Sequence, residues 1–196
     1  MERRPPTNLH PDLLPHIKLF PYIVPIIPQV QKKLTWCGAA CESMMLIHAT
    51  GNNKHDYKQE SIWWWLGEGN GMKVDRQVDF ARRHVYKAYH GQVNQPEKPG
   101  KLRSFFKRLV NEYKIPIEIL YPSDENGVTG HFVLVVGANE KNLLVVDPAP
   151  GYGVSTYNYD ELAPWFSYDS HDFYPGTFMI AYNQDMVPWM PEATRY

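Results

Sequence analysis

The hydrophobic period of this chain changes at Ile115, and that change restricts the fold more than any other feature of the 196 residues. Before it, Leu102, Phe105, Phe106, Leu109, Val110 and Tyr113 recur at spacings of three and four, which predicts an amphipathic helix over 101–113. After it the apolar runs are short and β-like: Ile115–Tyr121, His131–Val136, Asn142–Asp147 and Thr177–Tyr182. Earlier stretches predict helices over 37–48, 57–66 and 74–85. Gly51-Asn52-Asn53 stops the first of them. The polar, Gly/Pro-marked residues 91–100 read as a connector. Helices first and strands second predict an α+β plan rather than alternating α/β.

Composition removes several function classes. The 20 basic residues are balanced by 21 acidic ones, so the basic excess of a nucleic-acid binder is missing. No run of about 18 apolar residues predicts a membrane-spanning helix. Two cysteines, Cys37 and Cys41, cannot build a disulfide framework, and thiol chemistry in a reducing compartment fits them better. The first residues, Met1 to Pro6, lack the pattern of a secretory signal. The expected location is the cytoplasm, or outside the cell by a Sec-independent route.

Residues 1–28 hold seven of the 17 prolines, which argues against helix or regular sheet there. They are also rich in apolar side chains, from Leu13 to Ile27. We read them as a proline-rich arm laid along the surface of a domain spanning 29–196.

The chemistry-bearing stretch is Gln31-Lys-Lys-Leu-Thr-Trp-Cys37-Gly38-Ala39-Ala40-Cys41. Cys37 stands where a loop turns into a helix. Unpaired N–H groups of a first helical turn favour a thiolate, which is the nucleophilic form. Gly38 is expected to let a substrate approach. Gln31, with Gln29 as the competing residue, and the Cys37 N–H are candidate donors to an oxyanion. Cys41 falls on the helix face above Cys37 and reads as core. A zinc site at the two cysteines lacks a second ligand pair.

A thiol of this kind needs a base. His48 is eleven residues along the same helix from Cys37, too far to serve. His10 and His16 lie in the arm, and His55, His84 and His90 in or near polar segments. His131 opens an apolar strand just after Gly130, where a rigid element can hold it. If the 131–147 hairpin turns near Asn139, Val135 faces Leu143 and His131 lies directly opposite Asp147. That carboxylate can then fix the imidazole. A one-residue slip would separate the pair onto opposite faces.

Trp63-Trp64-Trp65 cannot all enter one core from a helix, and packing beneath the N-terminal arm is the favoured reading. Gly67-Glu68-Gly69-Asn70-Gly71 follows a helix and precedes no Lys-Ser/Thr, so it reads as a turn rather than a phosphate loop.

The Gln31-x5-Cys37-Gly-Ala-Ala-Cys41 block, the Gly130-His131 strand and the Asp147-Pro148 strand end resemble papain-like cysteine peptidases. The likeness is to the bacterial C39-like branch, which includes bacteriocin-leader peptidases and AvrRpt2-like effectors. It covers roughly residues 29–182. The resemblance implies a papain-like fold: a helical lobe, then an antiparallel β-sheet lobe, with the active-site cleft between them. It implies Cys37, His131, Asp147 and Gln31 as site residues, no metal or cofactor, and a protein or peptide as substrate. An effector, a toxin or a maturation protease would all fit. The same triad also serves acyltransferases and deamidases, and a papain-like domain can bind without catalysis. The long arm, the tryptophan run and the lack of an ATP-binding transporter segment depart from the family.

Overall fold

The computed structural model describes residues 9–67, 72–122, 130–167 and 176–183. It is built on one six-stranded sheet with helices against it. In chain order the elements are α1 (Cys37–Thr50), α2 (Gln59–Leu66), α3 (Val74–Ala81), β1 (Lys87–Gln92), α4 (Pro99–Lys107), β2 (Ile117–Pro122), β3 (Gly130–Ala138), β4 (Asn142–Asp147), β5 (Gly153–Asn158), α5 (Tyr159–Phe166) and β6 (Thr177–Tyr182). The strand order is β1-β6-β2-β3-β4-β5, with antiparallel neighbours throughout. The α+β expectation holds.

Helix α1 explains the plan. It runs from Cys37 to Thr50 and ends on Gly51 in the left-handed conformation, as a C-terminal glycine permits. Nearly every residue from Cys37 to Leu46 is buried, so the helix has no solvent stripe. It packs on β3 and β6 on one side and on α2 on the other. The first two turns carry small side chains (Gly38, Ala39, Ala40), which allows close packing on the sheet.

Three local expectations are corrected. Residues 87–92 form strand β1, paired in register with β6 from Lys87↔Tyr182 to Gln92↔Thr177, where the sequence predicts a connector from residue 91 onward. Its sequence, Lys-Ala-Tyr-His-Gly-Gln, buries little besides Ala88 at the sheet edge, so it carries no apolar run. The third helix stops at Ala81 rather than Val85. The fourth begins at Pro99, and its last turn, Arg108–Glu112, widens to i→i+5 geometry before Lys114 turns the chain with φ +64°.

The arm is less irregular than its prolines suggest. Pro11–His16 is a 3₁₀ helix with proline in its first turn, a position where the missing N–H costs nothing. Leu13, Phe20, Ile23, Val24 and Ile26 are buried in the same core as the sheet. Val24 N–H donates to the Val136 carbonyl (2.8 Å), and Ile23 bridges to Gly137. Leu14, Leu19 and Ile27 stay exposed. If the arm is structural, Ile26→Ala will destabilise the protein by about 2–4 kcal/mol in urea unfolding. A loss of about 0.5 kcal/mol or less would mean the arm is laid on loosely.

Candidate active site

Cys37 is the first residue of α1, and Trp36 at the N-cap supplies no side-chain hydrogen bond. The first-turn N–H groups are therefore left for other acceptors. Burial pushes the Cys37 thiol pKa up, but the His131 imidazole and the Phe132 and Gly38 N–H groups outweigh it, and the pKa falls below the ordinary thiol value. Burial likewise pulls His131 down. The bond to Asp147 and the interaction with Cys37 reverse this and raise its pKa to about 9. Both shifts favour a thiolate–imidazolium pair at neutral pH.

His131 Nε2 lies 2.8 Å from Asp147 Oδ1. Nδ1 is thus the nitrogen left to face Cys37. The Asp147 side chain is only 4% exposed. Its Oδ1 also accepts from the Ala149 N–H (2.8 Å), and its Oδ2 from the Tyr157 hydroxyl (3.3 Å). Tyr121 stands edge-on to the imidazole, its centroid 5.8 Å away, and its hydroxyl meets that of Tyr157 at 3.3 Å. These contacts fix the carboxylate and, through it, the ring.

The hairpin register differs from the sequence expectation. Val135 pairs with Val145 and Leu134 with Val146, and a bulge between Val135 and Gly137 shifts the rest. Continued one step, the ladder sets Asp147 beside Val133, diagonal to His131. The error is two residues, so both side chains keep the same face and still meet.

Gln31 is buried, and its N–H donates to the Pro148 carbonyl (2.8 Å), tying it to the end of β4. Its side-chain Nε2 donates to the carbonyls of Lys33 (3.0 Å) and Leu34 (2.6 Å), while Oε1 is buried without a partner. The amide donors are thus engaged with their own loop. Gln29 is engaged as well, with Nε2 on the Ser43 hydroxyl (3.0 Å).

Gln59 escaped the sequence reading. It accepts from the Lys32 N–H (3.0 Å) and donates to the Val30 carbonyl (3.0 Å), so it clasps the backbone on both sides of Gln31. Tyr121, Tyr157 and the Ala149 N–H were missed too. Nothing in their residue types signals such roles.

Gly38 has a different task from the one expected. A Cβ there would lie 3.0 Å from Gln77 Nε2 and 3.1 Å from the Phe132 ring. The missing side chain lets α1 settle on β3 rather than leaving room for substrate. Beneath it, Gln77 Nε2 donates to Glu118 Oε1 (2.8 Å). Burial, and the nearby Glu118, hold the buried Glu42 well above the usual carboxylate range; burial and Cys37 do the same for Glu118 against the lowering effect of the Gln77 bond. Kept protonated, they do not oppose a thiolate at Cys37. Cys41 is fully buried, and burial together with Glu118 and Cys37 raises its pKa well above the ordinary thiol value.

The tryptophans do not lie under the arm. Trp63 stacks on Trp36 with centroids 5.4 Å apart, and Trp64 and Trp65 are exposed. Only Gly67 of the glycine-rich turn lies within the described residues. Among the described residues, no group of three His, Cys, Asp or Glu has a metal-site arrangement, and no helix is long and apolar enough to cross a membrane.

An activated pair of this kind has a direct readout. Iodoacetamide will alkylate Cys37 rapidly well below the free-thiol pKa of about 8.5, and His131→Ala will abolish the low-pH reaction. Cys41 will stay unmodified in the folded protein. Equal, slow rates at both cysteines would refute the ion pair.

No family model and no curated protein matches the chain. Solved structures do. A double glycine motif protease from an AMS/PCAT transporter, in complex with its leader peptide, superposes with TM-score 0.57 at 19% identity, covering 81% of this chain and 91% of the other. The peptidase domain of Streptococcus ComA gives 0.59 at 14% identity over 81% and 98%. A C39-like peptidase candidate from Bacillus anthracis gives 0.55 at 14% over 79% and 94%. The fold of this chain is that of the C39 papain-like peptidase domains.

Proposed function

We propose that this protein is a cysteine peptidase that hydrolyses peptide or isopeptide bonds through Cys37, His131 and Asp147. The observation that carries the reading is the seat of Cys37 at an uncapped helix start, against an imidazole whose far nitrogen is bonded to a buried carboxylate. The C39 peptidase fold, and a leader peptide bound to one neighbour, support a peptide as the substrate class.

The thiolate of Cys37 attacks the scissile carbonyl, and the negative charge moves to its oxygen. The Cys37 N–H and the Gln31 amide hold that oxygen. To do so, Gln31 turns one N–H away from Lys33 or Leu34 when substrate enters. His131 Nδ1–H then protonates the leaving amine as the C–N bond breaks, leaving a thioester on Cys37. A water molecule gives its proton to His131 and attacks the thioester, and the carboxylic acid departs with the thiolate restored. Asp147 keeps the imidazole oriented and stabilises its charge.

Mass spectrometry of peptide mixtures tests the reading. The wild-type protein will split peptides, and Cys37→Ala will not. His131→Ala will lose about 10²–10⁴-fold in kcat, and Gln31→Ala roughly 10²-fold. A gain of about one dalton without cleavage would instead make the protein a deamidase, and joined products a transferase. Unchanged cleavage by Cys37→Ala would overturn the proposal.

A further inference from the structure

Beside His131 lies a cleft of about 520 Å³ that the triad leaves unused. His131 and Asp147 form its floor, while Cys37 is not among its lining residues. It therefore opens on the Asp147 side of the imidazole. His131 stands on the leaving-group side of Cys37, since its Nδ1–H protonates the leaving amine, and the cleft lies beyond the ring from Cys37. Residues that follow the broken bond pass across this cleft.

The walls have a distinct chemistry. Tyr152 and Trp165 line the cleft and are 69% and 46% exposed. Their ring faces are not consumed by the core. Tyr121 and Tyr157 also line it, but their hydroxyls are engaged with each other and with Asp147. Glu161, at the start of α5, is the remaining charged group among the described lining residues. It makes no hydrogen bond or ion pair among the described residues. His131 and Asp147 cancel as a pair, so among the described lining residues Glu161 contributes one unbalanced negative charge.

An aromatic slot with one free carboxylate suits a long cationic side chain. Its methylenes lie against the rings, a ring face attracts the cation, and the carboxylate pairs with the head group. We infer that this cleft is the leaving-group subsite, and that it selects a lysine or arginine in the first or second position after the broken bond. The inference rests on the peptidase reading and adds its substrate class.

A mixture of several hundred synthetic peptides of varied sequence, with cleavage sites read by mass spectrometry, tests it. Lysine and arginine will be enriched at those positions. In matched peptides, kcat/KM will be at least tenfold higher with lysine than with norleucine, and lowest with glutamate. Glu161→Gln will bring lysine and norleucine to parity, and Glu161→Lys will place glutamate first. The Cys37 alkylation rate, measured alongside, reports whether the centre is intact. A preference indifferent to charge, or one that survives Glu161→Lys, would overturn the inference.

If the wild-type protein cleaves no peptide, the peptidase reading fails and the subsite is judged separately. Calorimetric titration of Cys37→Ala protein with a lysine-containing tripeptide amide and its norleucine counterpart serves for that. At least tenfold tighter binding of the lysine peptide, lost in Glu161→Gln, supports the subsite. Equal binding overturns it.

Discussion

The close seat of α1 on β3 governs the whole arrangement. Cys37 comes from the first turn of that helix and His131 from the start of that strand, and they meet because nothing projects between the two elements at Gly38. Phe132, the residue after His131, fills the space that a side chain at 38 would occupy. The strand that carries His131 is thus also the surface on which the Cys37 helix rests. An error in the packing distance would move both groups at once. The pair is defined by core packing more than by the polar contacts around it, since interiors resist small changes in volume.

Electrostatics then acts on a frame already set. Burial alone would keep Cys37 a thiol and His131 neutral. The His131 imidazole, with the Phe132 and Gly38 N–H groups, lowers the thiol, and the Asp147 carboxylate with Cys37 raises the imidazole. Two further carboxyls lie in the interior near the thiol, and ionised they would work against it. Desolvation keeps Glu42 and Glu118 in their neutral form, which confines the negative charge of the centre to Cys37 and Asp147. The oxygens of Asp147 are met by an imidazole, a backbone N–H and a phenol.

What could be read from the sequence follows from how far each signal reaches along the chain. The start of α1, its glycine stop and the strand character of 131–136 and 142–147 are local properties, and they were legible. So was the shared face of His131 and Asp147, although the bulge near Val136 moved the register by two residues. An even shift preserves the face, so the pair survived an incorrect ladder. Strand β1 was invisible because an edge strand needs no apolar run. The Gln59 clasp and the Tyr121–Tyr157 pair join residues about thirty positions apart. Their residue types are as common on a surface as in a site. Gly38 was correctly singled out for its missing side chain but assigned to the wrong neighbour. A glycine announces close approach without saying what approaches.

The arm bears on how such a protein could be controlled. A removable pro-segment lies across a finished cleft and leaves a stable enzyme when it is cut away. Residues 9–28 do something else. Their apolar side chains complete the core, Val24 bonds the inner end of β3, and the Pro25 carbonyl meets the His48 ring near the far end of α1. One strip of chain thus touches both the helix that carries Cys37 and the strand that carries His131. Proteolysis within it would strip the core rather than uncover the cleft. Trimming there would loosen the seats of α1 and β3 together.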